Sequence, residues 1–123
     1  MDGVEWKGSL HRIKKCAAEF LSMEDDLVDS DDDDDEGSWE LIGRDIRLKS
    51  MFLYCDLHRV ISGYSDDHKK AIIDLGNRFF DYMEELDSAV FHRSVALTQF
   101  HYSEATLALQ ELITTLLLPH SLD

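Results

Sequence analysis

Apolar residues recur every three or four positions through most of this chain of 123 residues. That is the period of a helix with one buried face, not the alternation of a half-buried strand. The pattern is clearest in WELIGRDIRLKSMFLYCDLHRVI, Trp39 to Ile61. Trp39, Ile42, Ile46, Leu53, Leu57 and Val60 fall within a narrow sector of one helical face. No Pro interrupts the run, and Ser38 stands where an N-cap oxygen would accept from free backbone N–H groups. At about 1.5 Å per residue the rod is roughly 35 Å long. One partner helix cannot bury such a rod, so the rest of the chain is expected to cover it.

Three further amphipathic stretches are available to do so. Trp6 to Val28 reads as a first helix, striped by Trp6, Leu10, Ile13, Ala17, Phe20, Leu21 and Leu27. Past a turn at Ser62 to Ser65, a third helix is capped by Ser65, with Asp66 and Asp67 in its first turn. Its stripe is Ile72, Leu75, Phe79, Met83, Leu86 and Val90. His92 to Ser94 forms the next break. The fourth helix runs from about Val95 to Leu118, with Thr98, Tyr102, Ala105, Leu109, Leu112 and Leu116 on one face, and Pro119 forbids continuation. The expected fold is all-α, an antiparallel up-down-up-down four-helix bundle in one domain spanning residues 1–123.

Charge changes this picture at one place. The formal net charge is −14, and Glu24 to Glu36 alone holds ten acidic residues. The body is therefore only mildly acidic, and the stretch at about 29–37, DSDDDDDEG, reads as an extended loop. This balance opposes nucleic-acid binding and docking on an anionic lipid surface. Lys7, Arg12, Lys14 and Lys15 form the only local basic cluster, either a solvated helix face or a partner for the acidic segment. One Pro and six Gly argue against a loop-rich β fold. No apolar stretch is long enough to span a membrane. No signal or transit peptide is visible at the start, as expected of a chain without one or of a mature chain.

Candidate chemistry is sparse. Asp32, Asp34, Glu36 and Gly37 loosely mimic the start of an EF-hand loop, but Gly43 stands where the bidentate Glu is required. Cys55 and His58 share a helix face, yet two ligands do not make a metal site. Cys16 and Cys55 could form one bridge in an oxidising compartment. Asp56 and Asp87 lie near apolar stripes, where pairing to Arg or Lys of a neighbouring helix is the plain expectation. No phosphate-cradling loop, nucleophile elbow or di-iron signature occurs, so no enzymatic activity and no cofactor are expected.

A second apolar surface is more informative. Leu41, Leu48, Met51, Phe52 and Cys55 lie away from the main stripe of the central helix, and Phe100, Leu107 and Leu118 do the same on the fourth. Either the first helix covers part of this surface or a partner protein does. Leu41, Leu48, Met51, Phe52, Phe100 and Leu107 are the candidates for partner contact.

Three segments resemble one family. IRLKSMFLYCDLHRVIS, Ile46 to Ser62, resembles the L-R-x-K-x-x-x-L-x-x-D-L-x-x-x-I-S helix of PsbQ, an extrinsic subunit on the lumenal side of plant photosystem II. RFFDYMEELDSAV, Arg78 to Val90, is similar to the family's L-F-D-x-x-x-x-L-D-x-A segment, and HYSEATLALQEL, His101 to Leu112, to its Y-x-E-T-x-x-A-L-x-E-V segment. Order and spacing agree from Trp39 to about Leu116. The resemblance implies a four-helix bundle in the chloroplast thylakoid lumen, attached to the membrane only through partner proteins. It also implies one of two non-catalytic roles. One is an oxygen-evolving enhancer subunit of photosystem II. The other is a lumenal subunit of the chloroplast NADH dehydrogenase-like (NDH) complex, which drives cyclic electron flow around photosystem I. Plant PsbQ is basic and begins with a Pro-rich arm. The acidic body, the poly-Asp stretch and the scarcity of Pro here favour the NDH branch.

Overall fold

The computed structural model describes residues 3–24 and 36–117, with side chains from 7–24 and 39–117. Four helices account for nearly all of it: α1 Gly3–Leu21, α2 Glu36–Ile61, α3 Asp66–Phe91 and α4 Val95–Leu116. Among the described residues there is no strand.

Each helix packs on its chain neighbours, and α1 also meets α4, so the four close into a ring around one core. The antiparallel sense is visible in the cross-contacts. On α2 and α3, Gly43 lies by Val90, Arg47 by Asp87 and Leu57 by Gly76, one number rising as the other falls. Gly76 permits that last approach, since a Cβ there would stand 3.1 Å from Leu57 Cδ2. On α3 and α4, His68 meets Thr115 while Arg78 meets Glu111. This is the expected up-down-up-down bundle.

The stripes read from the sequence form the core. Ile46, Leu53, Leu57 and Val60 of α2, Ile72, Phe79 and Leu86 of α3, and Ala105, Leu109 and Leu116 of α4 are all buried. Ile42, Leu10 and Leu75 are half-buried at its margin. Trp6's side chain, Leu27, Val28, Leu118 and Pro119 lie outside the described residues.

Three boundaries differ from expectation, the first being that α1 begins at Gly3 and not at Trp6. α2 is already helical at Glu36, so Ser38 sits inside its first turn and does not cap it. An acidic residue in that turn suits the helix dipole. The helical backbone through Gly43 also leaves no EF-hand loop over 36–43. α1 ends at Leu21, not Val28, and the chain turns at Ser22, returning Met23 to the core. A side chain from α4 meets the chain at this end. The Tyr102 hydroxyl is shared between the carbonyls of Phe20 (2.6 Å) and Leu21 (2.8 Å) at the end of α1, and the Phe20 carbonyl also accepts from Met23 N–H in the turn (3.1 Å).

The far end of α4 is tied in the same manner. Tyr64's hydroxyl donates to the Leu116 carbonyl at 2.7 Å, and the His68 ring approaches the Thr115 carbonyl at 2.6 Å. A carbonyl only accepts, so Nε2 of His68 carries the proton. Between α3 and α4, His92 ends the helix and Arg93 adopts φ 56°. Arg93 N–H returns to Val90 O and Ser94 N–H to Ala89 O, a Schellman closure with an arginine where glycine is favoured. Ser65 and Ser94 then cap α3 and α4, each hydroxyl accepting from a backbone N–H three residues on.

Both aspartates flagged in the sequence are paired. Asp87 accepts from Arg47 at 3.0 Å. Asp56 is buried, accepts from Arg12 Nε and Nη2 at 3.1–3.3 Å across the α1–α2 seam, and accepts from Arg59 at 3.3 Å on its own helix. Both arginines keep much of their surface in water.

Three outcomes are expected from these ties. Tyr102→Phe keeps the ring packed on Phe20 but takes the hydroxyl donor from the Leu21 carbonyl, costing about 1–3 kcal/mol in denaturant unfolding. Arg12→Ala and Arg59→Ala each cost about 1 kcal/mol, because the other arginine still serves Asp56. The double variant strands a buried carboxylate and costs more than the sum, about 3 kcal/mol or above. Burial pushes the Tyr64 hydroxyl from 10.0 up to about 12. Its share of stability is therefore whole below pH 10 and is lost as pH rises from 10 to 12. Alkaline unfolding curves should lose that component in Tyr64→Phe.

Candidate docking surfaces

α2 is apolar on two opposite sides. The inner stripe is the core. The outer one stays in water: Leu41 is 64%, Met51 58% and Phe52 55% exposed, with Leu48 somewhat less. α1 could have covered this stripe, and it does not. Its contacts fall on the flank of α2, where Cys16 donates to the Lys49 carbonyl at 3.8 Å and Arg12 reaches Asp56. Leu48, Met51, Phe52 and Cys55 are left lining an open groove of about 690 Å³ against Arg12, Lys15 and Glu19 of α1.

A second groove, of about 380 Å³, runs along the other side of the same ridge. Met51 lines both. Here Tyr54 stands edge-on to Phe80 at 5.5 Å and tilts against the His58 ring at 4.7 Å. Sequence reasoning missed Tyr54 and Phe80. The signal was present in Tyr54 lying one turn from Met51 and His58, but its angle from both stripes hid it.

Phe100 and Leu107 are also exposed, but on α4. α2 and α4 are diagonal in the ring, so their outer faces look in opposite directions. The six candidate residues are therefore not one patch. The structure brings Leu41, Leu48, Met51 and Phe52 onto one side and Phe100 and Leu107 onto another. Phe91, 78% exposed at the end of α3, is a further apolar group that the stripe argument passed over.

The helices also divide the charge. α1 carries four basic and two acidic residues, and α2 four of each. α3 carries three basic and seven acidic, while α4 has two acidic and no Lys or Arg. Lys7, Lys14 and Lys15 are exposed, so the basic cluster is a solvated face from which Arg12 reaches inward. The acidic segment that might pair with it lies outside the described residues.

Chemistry is thin around these surfaces. Cys16 and Cys55 are free thiols that open on the same groove, Cys16 buried and Cys55 exposed. Burial pushes the Cys16 thiol up to about 11, against the pull of the Lys49 charge. His58 rests on Tyr54, and among the described residues no three His, Cys, Asp or Glu side chains gather as metal ligands. Among the same residues, no helix is long and apolar enough to cross a membrane.

Comparison with known proteins gives this arrangement its context. The chain is 35% identical over 108 residues to the photosynthetic NDH subunit of lumenal location 3, chloroplastic, from Arabidopsis thaliana, covering 88% of this chain and 46% of that protein. It is 30% identical over 105 residues to the chloroplastic oxygen-evolving enhancer protein 3-1 of Arabidopsis thaliana, covering 85% and 44%. It is 27% identical over 105 residues to the oxygen-evolving enhancer protein 3 of Spinacia oleracea, covering 85% and 42%. The chain thus spans less than half the length of these relatives. The profile of the family described as PsbQ, oxygen evolving enhancer protein 3, matches residues 1–117. With that match over nearly its whole length and four antiparallel helices to carry it, the chain belongs to the PsbQ family.

Proposed function

We propose that this protein is a non-catalytic assembly subunit on the lumenal side of the chloroplast NDH complex, where it supports cyclic electron flow around photosystem I. The observation that carries this reading is the 35% identity, over most of the chain, to a protein named as a lumenal photosynthetic NDH subunit. The surface chemistry supports the same class of function. Large apolar side chains lie outside the core on long rods, and a molecule built so is suited to fill a gap between larger neighbours. In this reading Leu41, Leu48, Met51 and Phe52 meet one neighbour, and Phe100 and Leu107 meet another. The protein resides in the thylakoid lumen and is held at the membrane by those neighbours.

A second reading, an extrinsic oxygen-evolving enhancer subunit of photosystem II, is favoured by the enhancer relative at 30% identity. Removal of the protein separates the two. The first reading expects native gels to lose the NDH complex while photosystem II persists, and the reverse result overturns it. Within the first reading, Phe52→Asp and Phe100→Asp, each tested alone, should fold with unchanged helicity and reduce co-purification with the complex roughly tenfold or more. Undiminished co-purification of both folded variants means that these faces are not the contacts.

A further inference from the structure

α1 and α4 share the thinnest seam of the ring, and a groove of about 360 Å³ stays open along it. Ala17, Leu109 and Ile113 form its floor, and Lys14, Ala18 and Leu117 stand at its edges. Among the residues lining it, Lys14 alone is charged. The exposed side of α1 continues that edge. Lys7, His11, Lys14 and Ala18 recur at helical spacing, so they form one line along the helix, with Lys15 beside it. All five are exposed, and among the described residues none of the three lysines is in an ion pair. No carboxylate lies on this line. Glu19 stands on the other flank of α1, in the groove shared with α2.

α4 carries the complement. Phe100 and Leu107, both exposed, are seven residues apart on its outer side. Glu104 and Glu111, also seven apart, run beside them toward α3, where Glu111 approaches Arg78 at 3.8 Å. Seven residues span about 10 Å on any α-helix, so Glu104 and Glu111 match Lys7 and Lys14 in spacing.

We propose that two copies of this chain pair about a two-fold axis, each laying the outer line of its α4 into the other's α1–α4 groove. This rests on reading the chain as an assembly subunit and identifies the neighbour that Phe100 and Leu107 meet. Groove and outer line lie on adjacent sides of the same helix, so both contacts form at once. α4 runs antiparallel beside α4 of the second copy, and each α4 also meets the other copy's α1. Because α1 is antiparallel to its own α4, it runs parallel to the other one. Lys7 then faces Glu104 and Lys14 faces Glu111, in order. Phe100 and Leu107 leave water against Ala18, Ile113 and Leu117 of the second copy. Each copy gives and receives the same surface, so the assembly closes at two.

Other occupants fit less well. A bilayer is flat and cannot reach the floor of a groove between two rods, and the acidic remainder of the molecule opposes an anionic one. α3 of a second copy is acidic, but between its ends Ile73 is its only exposed large apolar residue among the described ones, too little to fill the groove.

The oligomeric state of the free protein supplies the test. At micromolar concentration it should sediment at twice the mass of one chain. The double variants Lys7→Glu, Lys14→Glu and Glu104→Lys, Glu111→Lys change side chains outside the core. Each alone should raise the dissociation constant of the dimer roughly tenfold or more, with helicity unchanged. An equal mixture of the two should dimerise as the original does, because one contact then has both charges exchanged and the other has both as they were. Carbodiimide, which joins an amine directly to a carboxylate, should link Lys14 to Glu111 between copies. A free protein that sediments as one chain overturns the proposal, and the assembly role still stands if removal of the protein costs the NDH complex. A dimer that both double variants leave equally tight overturns this arrangement of it. Binding of a monomer to vesicles containing anionic lipid, lost in the lysine variant, overturns it in favour of a membrane. A link from Lys14 to a different protein in the complex overturns it in favour of a foreign partner.

Discussion

A ring of four helices closes only where the first meets the last, and here that closure is made by Tyr102. The interface between α1 and α4 is the thinnest of the ring. Yet Phe20, fully buried, packs its ring against Tyr102 at 5.1 Å and edge-on to Phe79 at 6.2 Å. The hydroxyl of the same tyrosine takes the last two carbonyls of α1. One side chain thus packs apolar surface, meets the end of a helix and joins the first helix to the last.

That seam is polar at its edge for a reason connected with the outer surface. A buried carboxylate costs free energy unless it is paired, and Asp56 is paired twice. The arrangement fixes α1 on the flank of α2 instead of over its outer ridge. Had α1 rolled further round, it would have covered Phe52 and Met51 and added to the core. The ridge stays open where α1 lies on the flank, with the salt bridge and the Cys16 contact in its seam.

The distribution of charge gives the bundle a direction. Its first two helices carry a small positive excess and its last two a larger negative one. In a structure whose apolar faces point two ways, this makes the two sides chemically distinct. Neighbours of opposite character can then be told apart by electrostatics before any apolar contact forms. A bundle with one greasy face and even charge would lack that discrimination.

The sequence by itself determined the helices, their inner faces and their order around the core. A 3.6-residue period fixes which side chains share a face, and short connections oblige antiparallel neighbours. Ile72, Phe79 and Leu86 are buried where that period puts them, and Asp56 and Asp87 are paired as their positions beside the stripes implied. The end of α1 could not be read this way, because the last carbonyl there meets a tyrosine some eighty residues further along. Nor could the fate of the outer residues. Periodicity gives the angle of Phe52 and Phe100 on their own helices but not how far each neighbouring helix rolls around them. Only the tertiary structure decided that Phe52 remains in water, that Tyr54 and Phe80 extend its ridge, and that Phe100 lies on the opposite side. The roll of a packed helix is set by contacts summed over the whole seam, and no local pattern encodes it.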